Sequence, residues 1–247
     1  MTTQQTAPVT QQRIADELEA ERESLTAYLE SLPESAWDKP SLCEGWTIKE
    51  LMAHAIGIAS DVANRRLDGV GTPEANQRHV DERHGRTPRE LLNEWAVEGK
   101  SLEDGIRALE NEFWNAPYVD NFTVGGALQR MVEDVWVHGQ DIRIPLGDET
   151  TAGPALISTL EVASRELSNR LPRLAPDVGS VTITAGRFSS TVEGPGDLEL
   201  TVAGDPVTLG LVSTGRIAIR DAIDDGKLTV EPHVPDGFAD AINIYGP

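Results

Sequence analysis

The chain has 247 residues, with 21 Lys and Arg against 41 Asp and Glu, for a formal net charge of -20. So acidic a chain repels phosphate backbones and anionic lipid surfaces, which argues against nucleic acid or a membrane as a partner. A single cysteine, Cys43, excludes an internal disulfide; the polar N-terminus has no basic-then-apolar leader pattern, and no apolar run reaches transmembrane length. The expectation is a cytoplasmic protein.

Residues 1–9 read as a disordered lead-in. From about Thr10, Ile14, Leu18, Leu25, Leu29 and Leu32 recur at helical spacing, and Pro33 ends that helix. A turn-rich connector with Trp37, Cys43 and Trp46 follows. Thr47 and Glu50 fit a capping box that opens a second helix, with Leu51, Ala55, Ile58 and Val62 as its inward stripe and His54 at the border. The polar stretch Asp68 to Arg86 reads as a long loop or a broken helix, with His79 and His84 in it, either solvated or, as the lesser reading, lining the pocket. Thr87-Pro88-Arg89-Glu90 opens a third helix running to about Trp114. Pro117 to Asn121 breaks the chain again. Thr123 caps a fourth helix in which Leu128, Met131, Val135, His138 and Ile142 share one face, ended by Pro145 and Gly147. Trp46 and Trp136 read as core residues. These four helices read as an up-down bundle over residues 10–148.

Beyond it the pattern changes. A helix near 153–171 leads into alternating runs at Ser180–Ala185, Phe188–Val192 and Leu198–Val202, set off by glycines. Pro206–Ser213 reads as a helix, Arg220–Asp225 as a further helical turn and Leu228–Glu231 as a last strand. His233 falls in a loop. The fold class is α+β: a helical bundle followed by a smaller α+β domain at 153–247.

A metal site in a bundle needs inward ligands from more than one helix. Asp134 and His138, four residues apart, share a face, whereas Glu133 lies about 140° around the helix from His138. His54 on the second helix is the natural third ligand, and two imidazoles, a carboxylate and a water form a standard catalytic zinc set. Spacing alone leaves a second reading open: histidines satisfied within an apolar core. Asp141, three residues after His138, can orient that imidazole, or can cap or pair with Arg143. Cys43 precedes a helix N-terminus, which favours an anionic nucleophile, but free cysteines are among the most buried residues, and packing is the favoured reading.

Ser41-Leu42-Cys43-Glu44-Gly45-Trp46-Thr47, with Glu50-Leu51 and Ala53-His54 after it, resembles the C-x-G-W-T/S … D/E-L-x-x-H signature of the mycothiol-dependent maleylpyruvate isomerase family, within the DinB-like group of four-helix metalloproteins. Asp134 to Arg143 (DVWVHGQDIR) resembles that family's E-x-x-x-H-x-x-D segment. The resemblance is much thinner after residue 150. It implies a DinB-like bundle that holds zinc, or another divalent metal, through His54, Asp134 and His138. Asp134 departs from the family's usual glutamate by one methylene, which puts that ligand in question. The smaller domain would close over the thiol and substrate pocket. Thr214-Gly215-Arg216 looks like the family's G-R that follows an apolar helix there. That makes Arg216 a candidate for holding an anionic group of mycothiol or substrate, with an ordinary helix-terminal arginine as the other reading.

The implied chemistry uses a small-molecule thiol and an electrophilic substrate. Either the thiolate adds to a cis double bond, the resulting single bond rotates, and elimination gives the trans isomer; or the thiolate attacks an electrophile and stays attached. A non-catalytic binding or regulatory protein of the same fold, and a zinc hydrolase with Glu133 or Asp141 as base, are the alternatives.

Overall fold

The structure is a computed structural model that describes residues 9–118 and 122–246. The chain divides into two compact units, Val9–Ala155 and a second that begins at Leu156. The lead-in expected over 1–9 lies outside the described residues except for Val9, and so does part of the break expected at Pro117 to Asn121.

The first unit is built on four long helices: α1 (Gln11–Ser31), α2 (Ile48–Ala63), α4 (Pro88–Arg107) and α6 (Val124–Leu146), with short α3 (Pro73–Glu82) and α5 (Asn111–Trp114) between them. Their starts are set locally. Thr47 with Glu50, and Thr87 with Glu90, form complete capping boxes, and Thr10 and Thr123 accept from the backbone N–H three residues on. Each such cap stabilises its helix by about 1 kcal/mol. Packing then sets the arrangement: α1 lies against α4 and α6, and α2 against the same two. Consecutive α1 and α2 are therefore linked by a longer connector, in which Ala36 and Trp37 are buried. The seam is filled by Ile14, Leu18, Leu51, Leu91, Trp95 and Trp136, each at most 2% exposed, and each such burial contributes roughly 1.5–3 kcal/mol.

Helix α2 is buried all round from Leu51 to Asp61. Its small residues Ala53, Ala55, Gly57 and Ala59 fit that position, because α4, α6 and α3 all close on it. Over 68–86, read as a long loop or a broken helix, the structure has the short helix α3. Thr72 caps it and Pro73 takes its first position, but only Ala75, His79 and Val80 are buried, too few apolar residues to produce a readable period. The third helix also stops at Arg107 rather than near Trp114, with α5 as a separate turn.

One buried ion pair ties α1 to α4. Arg22 donates from Nε to Glu103 Oε1 and from Nη2 to Oε2 at 3.2 Å, with Glu103 fully buried. Gly99 makes room for it: a Cβ there would lie 2.2 Å from Arg22 Cδ.

The segment after α6 is strapped along the bundle. Trp136 Nε1 donates to the carbonyls of Thr151 and Ala152 at 3.1 and 3.0 Å. Gln140 pairs with the backbone of Thr151, and Glu21 accepts from the Ala155 N–H at 3.0 Å.

The second unit is α+β, as expected. Helix α7 (Leu156–Leu174) packs on a four-stranded sheet formed by β1 (Val178–Ala185), β2 (Phe188–Glu193), β3 (Leu198–Gly204) and β4 (Leu228–Glu231), in the order β2-β1-β3-β4. β1 pairs antiparallel with β2 and parallel with β3; β3 pairs antiparallel with β4. Val181, Ile183, Val192, Leu200 and Val202 are buried, as strand alternation requires. Helices α8 (Pro206–Ser213), α9 (Ile219–Asp224) and α10 (Phe238–Ile242) complete this unit. No helix among the described residues is long and apolar enough to cross a membrane.

Candidate metal centre

Two sequence segments and two helices meet in the first unit. Cys43 is carried by the connector, whose Leu42 N–H donates to the Asp141 carbonyl of α6 at 2.9 Å. His54 comes from the middle of α2; Asp134, His138 and Asp141 come from successive turns of α6. The His54 and His138 rings stand 5.5 Å apart, edge to face, and Trp46 lies against His54 at 4.9 Å. Trp46 is thus only half-buried, a wall of this site rather than the core residue it reads as in sequence.

Each imidazole has one nitrogen without a hydrogen bond. His138 Nδ1 is 3.0 Å from Asp141 Oδ2, which fixes the ring and leaves Nε2 outward. Asp134 Oδ1 approaches that Nε2 to 3.4 Å, within ion-pair range but without hydrogen-bond alignment. His54 Nδ1 is buried with no hydrogen-bond partner. A buried polar atom left unpaired costs about 1–3 kcal/mol, so native proteins seldom keep one without a use.

The electrostatics of the two rings differ. Burial pushes His54 down to about 4, with the neighbouring His138 and His79 rings adding to the effect, so it is neutral near pH 7 and its lone pair is free. Burial would lower His138 as well, but the carboxylates of Asp134 and Asp141, with a hydrogen bond to Cys43, outweigh it and raise His138 well above the usual histidine range. Asp141 Oδ2 also accepts from Cys43 Sγ at 3.4 Å. The Arg143 guanidinium lies over the Tyr28 ring at 3.6 Å. Glu133, one residue before Asp134, is fully buried.

His54, Asp134, His138 and Asp141 are therefore brought to one place. Among the described residues, the trio whose donor atoms already lie within 4.8 Å of one another is Cys43, His138 and Asp141. Its members are joined by hydrogen bonds through one carboxylate oxygen, so the unpaired nitrogens lie on other atoms. Arg216 belongs to the second unit, half-buried, where it donates to the Thr214 carbonyl and lies over the Tyr245 ring at 5.0 Å.

Sequence reasoning missed one residue here. His79, read foremost as a solvated loop residue and only secondarily as lining the pocket, is fully buried on α3, with its ring 5.7 Å from that of His54. Gly57 on α2 is what admits it: a Cβ at that position would meet His79 Cγ at 2.1 Å. His84 and His233 are exposed. Gly57→Ala should consequently displace the His79 ring, costing about 1–3 kcal/mol by overpacking. A chemical melt showing stability unchanged within about 0.3 kcal/mol, with no perturbation of the His79 resonances, would refute that packing.

A divalent ion fits these residues. Two buried imidazoles offer free nitrogens, a carboxylate stands beside one of them, and Asp141 supplies the orienting acceptor that metal-binding histidines ordinarily have.

Comparison with known proteins agrees with this architecture. Two solved structures, of the mycothiol-dependent maleylpyruvate isomerase and of a mutant of it, each superimpose with a TM-score of 0.66 over 96% of this chain and 99% of theirs. At 19% identity that likeness speaks for the fold. Two uncharacterized proteins of Mycobacterium tuberculosis, MT0041 and Rv0036c, are each 27% identical over 226 residues, covering 83% of this chain and 86% of their own. Residues 18–143, which hold every candidate ligand, match the family described as the mycothiol maleylpyruvate isomerase N-terminal domain. The chain belongs to that family.

Proposed function

We propose that this protein is a thiol-dependent enzyme of the isomerase type, holding one divalent ion, zinc by its donor set, and using mycothiol on a small electrophile. The observation that carries the reading is the convergence of His54 and His138, each with an unpaired buried nitrogen, inside the segment that defines the family.

His54, His138 and Asp134 are the residues that would hold the ion. When bound, it supplies positive charge that favours the thiolate form of a small thiol at neutral pH. The chain's own groups do the rest. Asp141 keeps a proton on His138 Nδ1 and so presents Nε2. Trp46 walls the His54 side. Asp134, with its side chain 24% exposed, lies at the edge that solvent reaches and is the donor most readily displaced. Arg216, a fixed cation on the second unit, is proposed to hold a carboxylate of thiol or substrate; in this role Arg216→Ala raises the Michaelis constant for that partner and leaves metal content unchanged.

Zinc-loaded protein should convert maleylpyruvate, or form an S-conjugate with a model electrophile, only when mycothiol is present. If neither product forms with zinc, mycothiol and both electrophiles supplied, the enzymatic reading fails and a non-catalytic member of the family takes its place.

A further inference from the structure

His79 has no part in the site as drawn above, yet it is placed like a ligand. It is fully buried, and its Nδ1 has no hydrogen-bond partner. Its Nε2 is 2.8 Å from Oδ2 of Asp61, a buried carboxylate that also accepts from Arg66 Nε at 2.8 Å and from Arg78. With two guanidinium groups donating to it, the Asp61 carboxylate is the acceptor in its contact with His79. The Nε2 of His79 therefore carries the hydrogen, and the lone pair of the neutral ring falls on Nδ1.

We propose that His79 is a third imidazole ligand of the divalent ion, with Asp61 as the carboxylate that orients it; the inference rests on the reading that His54 and His138 hold such an ion. Asp61 would orient His79 as Asp141 orients His138, the pairing of imidazole with carboxylate that accompanies metal-binding histidines.

Spacing supports it. Two imidazoles on one tetrahedral zinc place their ring centroids about 5 Å apart. The His54 ring lies 5.5 Å from that of His138 and 5.7 Å from that of His79. The donor atoms of the three rings do not yet share a 4.8 Å neighbourhood, so ligation requires the side rings to turn toward His54. Buried space for His79 is made by the absence of a side chain at Gly57. Three imidazoles also account for Asp134. Asp134, its side chain 24% exposed beside His138, would then be a fourth and exchangeable donor.

The test is an imidazole count on the full chain. Protein labelled with nitrogen-15 at histidine is titrated with zinc, and the five histidines are assigned with exposed-site variants His84→Gln and His233→Gln. We expect His54, His79 and His138 to shift together, with His79 Nδ1 losing its free lone-pair resonance, and His84 and His233 to stay unchanged. Asp61→Asn should weaken zinc binding about 10–100-fold, and His79→Gln by more than that. A response confined to His54 and His138, with His79 Nδ1 still free at saturation, overturns this inference and leaves the two-histidine centre standing. No histidine response at all overturns both.

Discussion

Replacing His138 by alanine should abolish tight binding of a divalent ion, with an affinity loss well beyond the roughly 10–100-fold that removing an orienting partner causes. His138 contributes the only donor on α6 that is oriented by a carboxylate and faces a second histidine, and water replaces an imidazole poorly. Proton linkage adds a pH signature in the unmutated protein. Asp134 and Asp141 hold a proton on metal-free His138 above the ordinary histidine range. An entering ion must expel it, so affinity should climb as pH rises toward the raised value and then level off. His54, lowered to about 4, is already neutral over that range and adds no slope. The same proton stabilises the metal-free bundle below the ordinary histidine value, a contribution lost as pH rises through the raised one. Isothermal titration with zinc across that range checks both points. Affinity that is flat with pH, or unchanged in His138→Ala, contradicts the site.

The largest effect on stability is expected at the buried Arg22–Glu103 pair. Glu103→Ala leaves Arg22 charged beneath α4 with no carboxylate, where Arg22 is 8% exposed. Breaking a buried pair from one side costs about 3–5 kcal/mol. For a unit of this size that lowers the melting temperature by about 10 °C. Removing both charges together, as Arg22→Met with Glu103→Leu, should restore most of the loss, because the desolvation cost of the pair disappears with it. A double variant as unstable as the single would show that the pair is needed for more than charge balance.

What could be read in the sequence was what is decided locally. Thr47 with Glu50, and Thr87 with Glu90, mark helix starts because the cap is made by residues three apart. SVTITA reads as a strand because its alternation matches the burial of Val181 and Ile183. Helix α8, read at Pro206–Ser213, is found over those residues, with Asp205 as its cap and Pro206 in its first turn. Helix α3 was not so legible. Its inward face is Ala75, His79 and Val80, and the burial of His79 depends on the absence of a side chain at Gly57, twenty-two residues earlier, a non-local fact. Asp61 shows the same limit. It sits on α2 among apolar neighbours, and nothing local says that Arg66, Arg78 and His79 all converge on it. The contact between Trp46 and His54 likewise follows from how the connector folds back onto α6, which no spacing rule encodes.

The central claim is that His54 and His138 hold one divalent ion, and metal content tests it most directly. Protein equilibrated with zinc, dialysed near neutral pH and analysed by mass spectrometry for bound metal should retain about one ion per chain. The His54→Ala/His138→Ala double variant, folded by circular dichroism, should retain none. Full occupancy in that variant, or no ion retained by the unmutated chain, would contradict the account.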